Sequence, residues 1–142
     1  MHVSRKVDYA MRALAHLAEA DDRRVRISDL SVKIAVPKPF LANVMRDLVS
    51  KGLVRSQPGP CGGYTLARES SAISFRDLVE AVDGPMHIVP CQVEGDDNCI
   101  LLDHCTQLPI WDRIRAEMLG VLEKYSLAQV SEQDRNRPLA EK

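Results

Sequence analysis

No run of apolar residues in this 142-residue chain approaches the roughly 20 that a helix needs to cross a bilayer. The first residues, MHVSRKVDYA, are charged and lack the apolar centre of a secretory signal. These absences predict a cytoplasmic protein that does not engage a membrane, in a compartment where thiols stay reduced. Structural disulfides are therefore not expected among the four cysteines, and metal binding or redox sensing is the better reading. No Cys-x-x-Cys pair occurs, so the usual signature of a zinc site or a dithiol oxidoreductase is missing. No Ser/His/Asp grouping, phosphate loop or paired-carboxylate site is visible, which speaks against catalysis. Internal repeats and low-complexity tracts are also absent.

The length suits one domain with an extension, and a hydrophobic fraction of 45% is enough for a core. The net charge of −1 conceals a split. Residues 1–68 carry twelve Lys/Arg against six Asp/Glu, and residues 69–142 carry seven against fourteen. A basic half beside an acidic half suggests a polyanion as partner of the first.

Residues 4–20 have helical periodicity, with Val7, Ala10, Met11, Leu14, Leu17 and Ala18 on one face. RISDLSVKIAVPKPFLANVMRDLVSKGLV then predicts two helices joined by a tight turn. Ser28 is the expected N-cap of the first, with Leu30, Ile34 and Ala35 facing inward. Pro37 and Pro39 suit only the start of the second, which should run from about Pro39 to Ser50. Phe40, Leu41, Val44, Leu48 and Val49 supply its apolar side, and Gly52 terminates it. LVRSQ and YTLAR are strand candidates around a Pro/Gly-rich tip. Ser74 caps a further helix, FRDLVEAV, with Asp77 at the capping-box position.

A helix-turn-helix followed by a β-hairpin is the order of a winged helix. The expected fold is mainly α with one small β-hairpin. Residues 1–83 form the winged helix-turn-helix unit, and 84–106 a cysteine-containing loop. Residues 107–130 form a long helix and end segment, and 131–142 a polar, disordered tail. The long helix begins near Gln107, with Pro109 in its first turn. Its stripe of Trp111, Ile114, Met118, Val121, Leu122 and Tyr125 suggests a dimer seam, the alternative being that it packs back on its own domain.

In a helix-turn-helix the second helix lies in the major groove and its early residues reach base edges. That places Lys38, Ala42, Asn43 and Arg46 at the DNA. The Asn43 amide suits a bidentate contact to adenine, and Arg46 a guanine or a phosphate. Lys33, Lys51 and Arg55 suit phosphates, which position without specifying. Gln57 and Tyr64 flank the hairpin tip, within reach of the backbone or minor groove. Each residue alone reads as solvated surface; the set reads as a face for double-stranded DNA. Winged helices also serve as protein-binding modules.

VPCQVEGDDNCILLDHC, residues 89–105, holds Cys91, Cys99 and Cys105 at gaps of seven and five residues. Such spacing lets three thiolates converge on something larger than one ion. An iron–sulfur cluster takes four ligands, mostly thiolates, so one place would be vacant. Three unrelated buried cysteines are the other reading.

The chain resembles the Rrf-type family of bacterial winged-helix regulators over roughly residues 1–130. The resemblance rests on VDYAMRALAHLA, on the helix-turn-helix segment, and on GPCGGYTLAR in the wing. It continues through SFRDLVEAVDGP, the three-cysteine loop and LEKYSLAQV. It implies a homodimeric transcription factor that binds a DNA operator, many members holding a cluster through three such cysteines. IscR-like members complete the cluster with a His three residues after the last cysteine, where this chain has Leu108. NsrR-like members use an Asp of the partner subunit within a phrase similar to DYAMRAL, and Asp8 matches it. The resemblance thus implies Cys91, Cys99, Cys105 and Asp8 of the partner subunit as ligands, with His104 as the runner-up. An i,i+4 ion pair of Asp8 with Arg12 is the plain alternative. A 4Fe–4S cluster is favoured over 2Fe–2S, and Cys61 in the wing reads as a bystander. The function implied is a repressor-type regulator whose operator affinity responds to nitric oxide, redox state or iron–sulfur supply. Its rivals are a cluster-free regulator sensing through thiols or a partner protein, and a zinc-binding interaction module that never touches DNA.

Overall fold

The computed structural model describes residues 2–93 and 98–136. Helix α1 (Arg5–Glu19) starts at Ser4, whose hydroxyl oxygen accepts the Val7 N–H at 3.2 Å and whose O–H donates to Asp83 Oδ1 at 2.8 Å. It buries Val7, Ala10, Ala13, Leu14, Ala15 and Leu17, and the alanines let neighbouring helices approach closely. Helices α2 (Ile27–Ile34) and α3 (Lys38–Ser50) form the helix-turn-helix. The core joins α1–α3 to the first residues of the wing and to α4, described below.

The turn between α2 and α3 depends on Ala35, which adopts the left-handed conformation at φ 54°. A non-glycine residue pays for that conformation. Two features offset the cost: Val36 is driven fully into the core, and the Ser31 hydroxyl donates to the Val36 carbonyl at 2.6 Å. Ala35 itself is exposed, contrary to the inward position expected of it. Ser28 is not the cap of α2 either. The N-cap is Arg26, two residues earlier, and its carbonyl already accepts the Leu30 N–H at 2.9 Å. In α3 the buried residues are Leu41, Val44, Met45 and Leu48, while Phe40 and Val49 are exposed. The apolar face is thus rotated from the expected one, which omitted Met45.

Strands β1 (Val54–Gln57) and β2 (Gly63–Leu66) pair antiparallel, with Val54 opposite Leu66 and Gln57 opposite Gly63. Val25 adds a single bridge to Tyr64, closed by N–H···O bonds of 3.0 and 2.9 Å. Gly63, at φ 146°, lies so close to this neighbour that a Cβ would stand 2.7 Å from the Val25 carbonyl oxygen. A Cβ on Gly62 would collide with the Gln57 carbonyl. The two glycines are what allow the wing to fold against the segment before α2.

Helix α4 (Phe75–Asp83) opens with the expected capping box: the Ser74 hydroxyl accepts the Asp77 N–H at 3.0 Å, and Asp77 Oδ2 accepts the Ser74 N–H at 3.0 Å. Helix α5 (Leu108–Lys124) starts after Gln107 with Pro109 in its first turn, as expected, and none of its residues is buried. It packs on α4. Helix α6 (Leu127–Asn136) corrects the expected tail. Residues 131–136 continue this helix, which lies on α1 with Leu127 and Ser131 buried and Val130 packed on the core. Residues 137–142 lie outside the described residues. Among the described residues no helix is long and apolar enough to cross a membrane.

The α4 cap also sits at the junction with the C-terminal helices, so its loss should be felt in stability. Ser74→Ala is expected to lower the unfolding free energy by about 1 kcal/mol in urea titration. A midpoint equal to the parent's would show that the cap holds nothing.

Candidate nucleic-acid interface and cysteine loop

With Leu41, Val44, Met45 and Leu48 turned into the core, the helical period forces Lys38, Asn43 and Arg46 into solvent, with Ala42 half-buried beside them. Lys33 at the end of α2 and Lys51 just after α3 are exposed as well. Arg55 and Gln57 are exposed on β1, and Arg55 Nη2 donates to the Ala67 carbonyl at 3.5 Å. Tyr64 differs: it is half-buried, packed against the core and tied through its backbone to Val25.

The structure adds two residues that the sequence reading missed. Arg26 Nη2 donates to the Pro60 carbonyl at 2.6 Å, and Arg24 Nη1 to the Cys61 carbonyl at 3.2 Å. Both guanidiniums therefore strap the exposed wing tip to the segment before α2. Their signal was present, because alternate residues of an extended segment share a side, and Arg24 and Arg26 flank the bridging Val25.

Among its described residues the cysteine loop contains two short 3-10 turns, Pro90–Gln92 and Leu102–His104. Cys91 is half-buried in the first. Its neighbour Gln92 accepts the Ile88 and Val89 N–H groups at 2.8 and 3.3 Å, and its amide donates to Asp112 Oδ1 on α5 at 3.0 Å. Cys99 is exposed, and its carbonyl accepts the Leu102 N–H at 3.1 Å. Cys105 is half-buried, and its sulfur accepts the Leu108 N–H at 3.4 Å, at the first residue of α5. These thiols, like the exposed Cys61, are free of disulfide bonds. Among the described residues no three His, Cys, Asp or Glu side chains stand close enough to hold a metal ion. Asp8 is exposed on α1 and paired with Arg12 in its own chain, Oδ2 to Nη2 at 2.8 Å and Oδ1 to Nε at 3.2 Å. His104 is exposed.

On α5, Trp111, Met118 and Leu122 are half-buried, while Ile114 and Val121, and Tyr125 just after the helix, are exposed. Tyr125 meets Phe75 edge to face at 6.3 Å between ring centroids. Arg76 of α4 donates to Glu123 of α5 at 3.3 Å and pairs with Glu80 at 3.4 Å. Glu80 chiefly, with Glu123 adding, holds the Arg76 guanidinium above its ordinary value.

Residues 3–133 match the family described as Rrf2, iron-dependent transcriptional regulator. The chain belongs to the Rrf2 family. A Mycobacterium tuberculosis H37Rv protein named as an HTH-type transcriptional regulator is 36% identical over 137 residues, covering 92% of this chain and 81% of the relative. The HTH-type transcriptional regulator IscR of Yersinia enterocolitica is 30% identical over 136 residues, covering 94% and 82%. The fold is that of B. subtilis CymR, the global cysteine regulator, with a TM-score of 0.73 at 24% identity over 94% of this chain and 98% of that one. T. potens IscR gives 0.75 at 22% identity over 100% and 94%. Rrf2 proteins are winged-helix, DNA-binding transcriptional regulators, not enzymes. A zinc-binding module that never touches DNA is thereby set aside.

If Arg24 and Arg26 strap the wing, removing both should loosen its tip without unfolding the domain. In Arg24→Ala/Arg26→Ala the Gly62 amide, which donates to the Gly59 carbonyl at 3.0 Å, should exchange with solvent faster. Affinity for duplex DNA should fall several-fold whatever the sequence. Unchanged exchange at Gly62 would show that the hairpin holds itself.

Proposed function

We propose that the protein is a homodimeric transcriptional regulator of the cytoplasm, of repressor type. It binds a near-palindromic operator through α3 and the wing. Its operator affinity is set by an iron–sulfur cluster on Cys91, Cys99, Cys105 and Asp8 of the partner subunit. Lys38, Ala42, Asn43 and Arg46 meet base edges. Lys33, Lys51, Arg55, Gln57 and the rim of Tyr64 meet the backbone. The observation that carries the reading is the position of α5. It begins three residues after Cys105, its first N–H reaches the Cys105 sulfur, and it leaves an apolar stripe unburied.

The donor set suits such a group in chemistry. Three unpaired thiols share one loop, and the N–H···S contact at Cys105 is of the kind that tunes cluster ligands. Asp8 must leave Arg12 to serve as a ligand, and an exposed i,i+4 pair resists by only about 0.3–0.5 kcal/mol. When bound, a cluster of the 4Fe–4S type would supply a centre that nitric oxide or oxidant attacks, with the carboxylate its most easily displaced ligand. The chain's own part is to hold Asp8 on the rigid α1 of one subunit opposite the thiols of the other. Signal and dimer geometry are then one variable.

A second reading is favoured by the separation of the thiols among the described residues: a cluster-free regulator that senses through free thiols or a partner protein. Protein purified anaerobically with ample iron and sulfide separates the two. It should be coloured and contain iron and sulfide, and Cys99→Ser should lose both. Asp8→Ala should keep iron in a more labile form and blunt the response of DNA binding to nitric oxide. His104→Ala should do little. A colourless parent protein leaves the cluster-free reading. A cluster that weakens in His104→Ala but not in Asp8→Ala moves the fourth ligand to the histidine.

The assembly is tested separately. Met118→Asp places an unpaired charge in the α5 seam, where desolvation is expensive. Sedimentation should show a monomer or insoluble protein. A folded dimer would place the seam elsewhere.

A further inference from the structure

We propose that Phe40 is a specificity-determining residue that reads thymine, packing its ring on the C5-methyl group in the major groove. The proposal rests on the reading of α3 as the recognition helix. Phe40 is 61% exposed although it is the bulkiest apolar residue of a helix that buries Leu41, Val44 and Met45 completely. The fold therefore gains little from a phenyl ring at this position. The ring stands in the first turn of α3, two residues after the exposed Lys38 and three before the exposed Asn43. Residues three apart are neighbours on a helix surface, so ring and amide present themselves together.

The major-groove chemistry of an A·T pair has two parts: an N6/N7 donor–acceptor edge on adenine and a methyl group on thymine. Asn43 matches the first and Phe40 the second. A phenyl ring offers no hydrogen bond, so neither a phosphate nor a guanine edge would explain it. The two side chains together predict that each half-site carries an A·T step read from both strands.

The test uses the full-length protein and random-sequence duplexes, from which a binding site is selected. Each thymine of that site is then replaced in turn by deoxyuridine, which deletes only the methyl group. The parent protein should lose about four-fold in affinity at one thymine per half-site, the value of one buried methyl-sized group. Phe40→Ala should bind the thymine site more weakly by a similar factor and no longer distinguish thymine from uracil there. Phe40→Leu, still apolar, should restore part of the discrimination. Because the side chain is mostly exposed, all variants should fold and unfold close to the parent's midpoint.

If the parent binds thymine and uracil sites equally at every position, the proposal is wrong, while selection of a site leaves the recognition-helix reading intact. If Phe40→Ala loses affinity but keeps the methyl preference, the ring rests on the sugar–phosphate backbone and the proposal is again wrong. If no sequence is enriched, and Asn43→Ala and Arg46→Ala bind DNA like the parent, the recognition-helix reading itself fails and the proposal with it.

Discussion

Two backbone hydrogen bonds hold the DNA-binding unit to the rest of the chain. The Phe75 N–H donates to the Tyr125 carbonyl and the Leu127 N–H to the Ile73 carbonyl, each at 2.9 Å. They make a two-way bridge at Ser74 and Ser126, and four features converge on it. The α4 capping box begins there, the Phe75–Tyr125 ring contact lies over it, and Arg76 reaches Glu123 one turn along. On its far side Leu127 drops into the main core and starts α6 across α1. The end of α5 is thus fixed to α4 by directional bonds, where apolar packing alone would let it slide.

Such fixation matters because α5 has little else. A 17-residue helix is near the limit at which an isolated helix persists in water. With none of its residues buried, propensity alone does not explain why it should be stable. Its anchors are at the ends: Gln92 to Asp112 and Leu108 to Cys105 at the loop, and the Ser74–Ser126 bridge at the other. Helix α1 is the opposite case, with one face wholly within the core. The molecule therefore divides into a tightly packed winged unit and a helix that packs on α4 without burying any residue fully and is bonded chiefly at its two ends.

The division follows what periodicity can and cannot encode. Helices α1, α3, α4 and α5, the wing and the Ser74 cap were legible, because each rests on local spacing and turn chemistry. Phe40 and Met45 were not assigned correctly. A stripe of apolar residues fixes a helical face only to about one residue, some 100° of rotation, and flanking apolar residues then point either way. Ser28 was misread because a good capping residue stood at the second position of a helix whose first hydrogen bond begins at Arg26. Helix α6 was missed because, among the described side chains, its inward face rests on Leu127, Val130 and Ser131 in a largely polar run. The cysteine loop has no period at all. Spacing identified its thiols, but whether they converge depends on turns that no neighbouring residue dictates.

The same division indicates how a signal at the loop would reach the operator. Cys105 touches the first residue of α5, and the far end of α5 is bonded to the cap of α4, which packs on α1 and α3. Under the proposed ligation Asp8 lies on α1, the element most deeply embedded beside α3. The ligand set would then join the most rigid helix of one subunit to the least supported helix of the other. A change confined to the loop could shift DNA affinity only if the dimer has two arrangements that differ in their contacts with DNA. Moving the balance from one in a hundred to its reverse takes about 5.5 kcal/mol of differential binding. Freeing Asp8 from an exposed pair with Arg12 costs an order of magnitude less than that, so the ion pair does not hold the balance on either side. Under the proposed ligation that difference would have to come from the cluster's ligands and from the face of α5 that a second subunit would cover, the two features that a change in the loop reaches first.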